Sequence, residues 1–300
     1  MIHRPRSSLL VPTVVGAVAA IVGVAAYLGA SQATLRLGFP LDDAWIHQTY
    51  ARNLALGGEW AFVPGISSGG STAPLWTMLL AIGARAAIAP GPWAYLLGTA
   101  SLAVAAAAAV RVFRPNAVSG SAWAAWLAVI FSREWPLGWA AASGMEVILL
   151  VALTTAVMLL SLPTVRRPLL VGAIVGGGIW IRPDAVTLGL IPLLSIILAP
   201  GPTDRRIPAA LARLGAGAAI VAIPYLLFNL GTAGTVWPST FYAKQAEYAE
   251  LRRAPYLTRL MQLMLSPLTG SGILLLPGVL LVAARAIRAD CEASLDALHG

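Results

Sequence analysis

The sequence predicts an all-α, polytopic membrane protein: a transmembrane helix bundle with a long first outer loop carrying interfacial helices. Three observations predict the membrane bundle. Apolar residues fill 58% of the 300 positions, charged residues only 11%, and mean hydropathy is +0.80. A soluble domain carries about 25% charged residues, so this chain has less than half the polar surface it would need in water. Apolar runs recur along the chain, and the basic residues fall in short Arg clusters between them. Such a composition excludes a soluble globular enzyme, a disordered chain and a collagen-like chain. The net charge of +8 does not point to a nucleic-acid partner, because Arg clusters between apolar runs are the pattern of cytoplasmic loops rather than of a basic face. Cys291 is the single cysteine, which excludes an intrachain disulfide and a Cys-based zinc site.

The elements follow in order. Residues 8–30, preceded by Arg4 and Arg6, form an apolar run too long for a signal-peptide core. They read as a first crossing with the N-terminus in the cytoplasm. Residues 31–73 are the longest polar stretch and face outward. Residues 74–110 are interrupted by Pro90-Gly91-Pro92 and read as an interfacial piece holding Arg85 plus one crossing to Arg111 and Arg114. Residues 118–140 then go out, 146–162 return to Arg166 and Arg167, and 168–181 go out. Residues 185–199 return to Arg205, Arg206 and Arg213, 214–231 go out, and about 259–282 return to Arg285 and Arg288. Every Arg pair then lies inside. Segments 168–181 and 185–199 are short for a ~30 Å crossing and are expected to be partial or packed inside the bundle. This gives one membrane domain, 1–288, with a polar tail, 289–300, and no internal repeat. Four segments share the outer side: 31–73, the turn Ser143-Gly144-Met145-Glu146, the turn Arg182-Pro183-Asp184, and the loop 232–258.

The outer loop opens with Pro40-Leu41-Asp42-Asp43. A helix is expected from there to about Ala55, with Asp42 as N-cap. Its apolar positions Leu41, Trp45, Ile46, Ala51, Leu54 and Ala55 suit a helix lying on the membrane surface. One aspartate satisfies the cap and the helix dipole. A second, adjacent one adds like-charge repulsion and asks for another reason. Two carboxylates at a membrane rim can deprotonate a sugar hydroxyl or hold a divalent cation. Ser71-Thr72 ahead of Pro74 reads as the cap of a further helix.

A resemblance rests on ordered pieces between about residues 40 and 245. Asp42-Asp43-Ala44-Trp45-Ile46, Tyr50-Ala51-Arg52-Asn53-Leu54-Ala55, Gly57-Gly58, Phe62-Val63-Pro64-Gly65 and Ser71-Thr72-Ala73-Pro74-Leu75-Trp76 come first. Ser143-Gly144-Met145-Glu146, Arg182-Pro183-Asp184 and Pro238-Ser239-Thr240-Phe241-Tyr242-Ala243-Lys244 follow. Together they resemble GT-C glycosyltransferases, in particular the actinobacterial-type arabinofuranosyl and mannosyl transferases.

That resemblance implies transfer of a sugar from a polyprenyl-phosphate donor to a hydroxyl of a glycan, lipid or protein acceptor. The reaction takes place at the outer face of the cell membrane, with inversion. Asp42 is the expected general base and Asp43 its partner or a ligand to a divalent cation such as Mg or Mn, an order that is open to reversal. A cation must sit near the leaving phosphate. Lys244, the one lysine in the chain, is the first candidate and Arg182 the second. Arg52, Arg252 and Arg253 are alternatives, the last two being better suited to lipid contact. Arg182 is otherwise a partner for Asp184 or Glu146, and Glu146 is expected to face a cavity or a cation. His47, four residues after Asp43, is either a second ligand for metal or phosphate or a surface histidine. Tyr50, Trp45, Trp60, Trp76, Trp237, Phe241 and Tyr242 either stack on a sugar or form an interfacial aromatic belt. Family members are commonly longer, with more spans and an outer carbohydrate-binding domain. A transporter or lipid flippase without covalent chemistry, or a shortened non-catalytic relative, are the competing expectations.

Overall fold

The computed structural model describes residues 10–34, 36–113, 129, 135–161, 167–198 and 206–265. The described residues are 80% helical. In chain order the first unit contains α1 (Leu10–Thr34), α2 (Asp42–Gly57), β1 (Ala61–Val63), β2 (Ile66–Ser67), α3 (Pro74–Arg85) and α4 (Pro90–Phe113). It continues with α5 (Trp135–Ala142), α6 (Val147–Ser161), α7 (Pro168–Gly178), a 3₁₀ stretch (Pro183–Gly189), α8 (Leu190–Ile197) and α9 (Arg206–Ala233). Next come α10 (Ser239–Glu247), α11 (Ala249–Arg253) and α12 (Tyr256–Leu265). The chain divides into two compact units, 1–242 and 243–300. The site described below lies wholly in the first.

Among the described residues, three helices are long and apolar enough to cross a membrane: Thr13–Thr34, Pro90–Val112 and Ile207–Ala233. Their surfaces explain why. Val14, Val18, Ile21 and Val22 on α1 are half exposed or more, as are Ile220, Ile223, Leu227 and Leu230 on α9. The α9 residues recur at three- and four-residue steps and form one stripe. An apolar stripe of that length costs free energy in water and none in hydrocarbon. The expected break is present, but it falls at residues 86–89, between the 12-residue α3 and the 24-residue α4, and Pro90-Gly91-Pro92 form the first turn of α4. At about 18 Å, α3 is too short to cross.

One expectation is corrected. Arg206 and Arg213 do not lie in a loop ahead of residue 214, because α9 starts at Arg206 and runs unbroken for 28 residues. The segment 185–199, expected to be short for a crossing, is a 3₁₀ stretch followed by the eight-residue α8. Pro183 starts that stretch, and a proline is tolerated there because its missing N–H would have no partner in the first turn. The expected crossing 118–140 falls largely outside the described residues, as do 266–282 of the last one and the polar tail 289–300.

The tightest helix pair is α7 against α9. A Cβ added at Gly172 would lie 2.0 Å from the Leu214 carbonyl oxygen, and one at Gly176 would lie 2.4 Å from that of Ala218. From the other side, a Cβ at Gly217 would lie 2.0 Å from the Leu169 carbonyl oxygen. Glycines four apart on one helix let two backbones touch, the means by which helices associate where lipid removes the hydrophobic drive. Between α1, α4, α5 and α6 the core is Ala20, Val24, Leu102, Ala140, Ala141 and Ile148. A second core joins α2, α3 and α4 through Ala51, Trp76, Leu80 and Ala94.

Candidate functional site

The helix α2 begins where the sequence places it, but Leu41 is its N-cap and Asp42 and Asp43 are its first helical residues. Asp42 Oδ1 accepts the Asp43 backbone N–H at 3.0 Å, and both side chains are exposed. The two carboxylates thus stand free at the positive end of the helix dipole, where negative charge is favoured. Trp45 is 52% exposed, and the buried face is Ala44, His47, Tyr50, Ala51 and Asn53.

His47, Tyr50 and Asn53 recur every three residues, and each holds a different part of the outer loop. Asn53 Nδ2 donates to the Ala61 and Phe62 carbonyls at 2.9 and 3.1 Å. These tie down a two-stranded antiparallel hairpin turned by Pro64-Gly65, which the all-helical expectation for this loop did not contain. The Tyr50 hydroxyl lies 2.6 Å from Ser68 Oγ and accepts the Gly70 backbone N–H at 2.9 Å. His47 Nδ1 lies 3.0 Å from Ser71 Oγ and 3.3 Å from Thr77 Oγ1, and the two hydroxyls are 2.8 Å apart. Ser71 is therefore not a helix cap; Ala73 holds that position ahead of Pro74, without a side-chain hydrogen bond.

The other face of His47 meets Glu146. Nε2 is 3.5 Å from Glu146 Oε2, and both side chains are all but sealed from solvent. The surface reading of His47 is overturned. Arg182 Nη1 donates to Glu146 Oε1 at 3.1 Å, and Arg182 Nε donates to Asp184 Oδ1 at 3.1 Å. Both partners expected for Arg182 are present together. Glu146 sits in the turn ahead of α6, where Gly144 adopts φ +76° with the Phe39 ring against its Cα. Only glycine takes that conformation without strain. Trp76, buried, donates its indole N–H to the Gly144 carbonyl at 2.9 Å, so it braces this turn rather than joining an interfacial belt. Burial pushes the Glu146 carboxyl up; the hydrogen bond and charge of His47, with the Arg182 guanidinium, outweigh it, and the net direction is down. Beyond this 3.5 Å approach of His47 Nε2, Oε2 has no hydrogen-bond partner among the described residues.

Seven of the aromatic side chains form one connected array. Trp60 meets Phe228 edge-on at 5.0 Å, and Phe228 and Trp180 lie 5.5 Å apart. Trp180 meets Tyr225 at 5.5 Å, Tyr225 meets Trp237 at 6.2 Å, and Trp237 meets Phe241 at 5.7 Å. Tyr242, 42% exposed, closes the array against Phe241 at 5.4 Å. The loop and the segment after α9 are also joined by backbone: the Ser239 N–H donates to the Gly69 carbonyl at 3.2 Å. The Leu75 N–H donates to the Trp180 carbonyl at 2.8 Å.

Four segments far apart in sequence thus share one contact network: residues 39–77, 143–146, 180–184 and 225–242. Arg52 stands outside it, exposed, with one long hydrogen bond to Asn53 Oδ1 at 3.4 Å. Lys244 is exposed on α10 and belongs to the second unit. Ser71, Thr77, Tyr50 and Asn53 had no place in the expected polar cluster, although the three-residue spacing from His47 to Asn53 is legible in the sequence.

The quartet's charges decide what it can do. Arg182 faces two carboxylates, so its charge is already offset, which makes it ill suited to neutralising a phosphate. Its place is structural: it holds the turn 180–184 against Glu146, and Glu146 holds α2 through His47. Among the described residues no group of three His, Cys, Asp or Glu side chains could hold a metal ion. Asp43 has Asp42 beside it and no third such ligand among the described residues, a donor set too small for a resident divalent cation. No protein-family model, curated protein or solved structure matches the chain.

Proposed function

We propose that the chain is a GT-C-type integral-membrane glycosyltransferase that takes its sugar from a polyprenyl-phosphate donor at the extracytoplasmic face. The observation that carries this reading is the shared contact network of the four motif segments, with the free Asp42–Asp43 pair at its edge. Those segments had been placed on one side of the membrane from Arg positions alone. In the reaction, Asp42 or Asp43 takes the acceptor hydroxyl proton as that oxygen bonds the anomeric carbon. The bond from that carbon to the phosphate oxygen breaks, and the lipid phosphate leaves with the electron pair. A neutral hydroxyl is a poor nucleophile, and a positioned base is worth about 10²–10⁴ in rate. Arg52 meets the leaving phosphate, since Arg182 is held by Glu146 and Asp184. Tyr242 and the aromatic array offer ring faces to a sugar.

Transfer from a radiolabelled polyprenyl-phosphate sugar by purified protein tests the chemistry. Asp42→Asn or Asp43→Asn is expected to lower the rate by about 10²–10⁴. Full activity in both single variants and in the double variant would end the proposed role. Sidedness is tested with Val63→Cys in a Cys291→Ser background. A membrane-impermeant maleimide is expected to label intact cells, and labelling only after lysis places the loop in the cytosol.

A further inference from the structure

Outside this network, α2 and α3 form an open trough of about 470 Å³ lined by Leu54, Ala55, Met78, Ala81, Ile82 and Arg85, with Ala86 at its end. Met78, Ile82 and Arg85 recur at four- and three-residue steps on α3 and make one wall; Leu54 and Ala55 of α2 make the other. Ile82 is 56% exposed, so the trough opens outward rather than into the core. Arg85 is exposed, forms no ion pair among the described residues, and is the single charged group in the lining. Helix α3 is too short to cross a membrane, so the pair suits the level of the lipid headgroups.

An apolar trough ending in one guanidinium fits an amphiphile with an anionic head. A soluble anion would have no use for the apolar walls, and an uncharged lipid would leave the guanidinium unmatched. We propose that this trough binds an anionic phospholipid of the bilayer, its phosphate on Arg85 and an acyl chain along Leu54, Met78 and Ile82. A reacting prenyl donor does not fit it as well. Arg85 lies eight residues, about 12 Å, along α3 from Thr77, which borders the polar cluster. The trough occupies the end of the helix away from that cluster. This inference is independent of the transferase reading, because it needs only a bilayer beside α2 and α3.

The test uses the full chain in detergent, titrated with phosphatidylglycerol or phosphatidylcholine and followed by native mass spectrometry. The wild type is expected to retain phosphatidylglycerol at least tenfold more tightly. Arg85→Gln is expected to bring the two lipids level, and Arg85→Lys to keep most of the preference. Thermal unfolding of the wild type gives a second readout, with phosphatidylglycerol raising the midpoint more than phosphatidylcholine. An unchanged preference in Arg85→Gln overturns the proposal, as does equal stabilisation of the wild type by the two lipids. Displacement of phosphatidylglycerol by polyprenyl phosphate, with transfer lost in Arg85→Gln, would assign the trough to the donor instead and also overturn it. Loss of transfer in the aspartate variants with lipid preference intact separates the two readings.

Discussion

Replacing Glu146 by Gln leaves the His47 ring and the Arg182 guanidinium facing a neutral amide inside a nearly sealed site. Breaking a buried pair from one side costs about 3–5 kcal/mol, and the low end applies here because Arg182 is one-third exposed and regains water. A loss of about 3 kcal/mol in thermal unfolding is therefore expected. The carboxyl also gives a pH signature. Its value in the folded protein lies below the ordinary 4.5, so its contribution is complete above that range and disappears as pH falls through it. The wild type should lose stability on acidification below about pH 4.5, and Glu146→Gln should lack that component. Gly144→Ala is the neighbouring test. At φ +76° with the Phe39 ring 2.5 Å from the added carbon, it should cost more than about 1 kcal/mol. The chemistry-bearing residues of this cluster were readable one by one. That His47 is buried was not, because nothing in its local context distinguishes a surface histidine from one facing Glu146 ninety-nine residues on.

At the scale of elements, α2 shows how a polar helix face becomes the buried one. Asn53→Ala removes two hydrogen bonds from the hairpin carbonyls and leaves those acceptors to water. A loss of about 1–2 kcal/mol is expected, with faster proteolysis at Pro64-Gly65 as the measurement. The α7–α9 pair depends on the absence of side chains. Gly176→Leu puts a branched chain where even one carbon would sit 2.4 Å from a backbone oxygen. The helices must separate, and loss of the folded band in detergent gel filtration is the expected result. The long apolar helices and the break before α4 were legible here because hydropathy and proline act locally. Hydropathy marked 168–181 and 185–199 as short, but not the division of the second into a 3₁₀ stretch and α8. A segment too short to span is shaped by the neighbours that satisfy its ends.

For the whole molecule, composition by itself determined the class. A chain with 11% charged residues cannot clothe a soluble fold, and its apolar runs set the helices that can cross a membrane. The order of the motifs also came from sequence, since residue types at given positions need no coordinates. Tertiary structure alone decided which of those residues meet. It took Arg182 from phosphate binding to an ion pair with two carboxylates, and His47 from the surface to the interior. It turned Trp60, Trp180, Tyr225 and Trp237 into one packed array, and left Asp42 and Asp43 standing free. The physical reason is range. Hydropathy and helix signals act over one or two turns, whereas burial and charge pairing depend on side chains brought together from tens of residues away and, for the rings of Trp60 and Phe228, from more than a hundred.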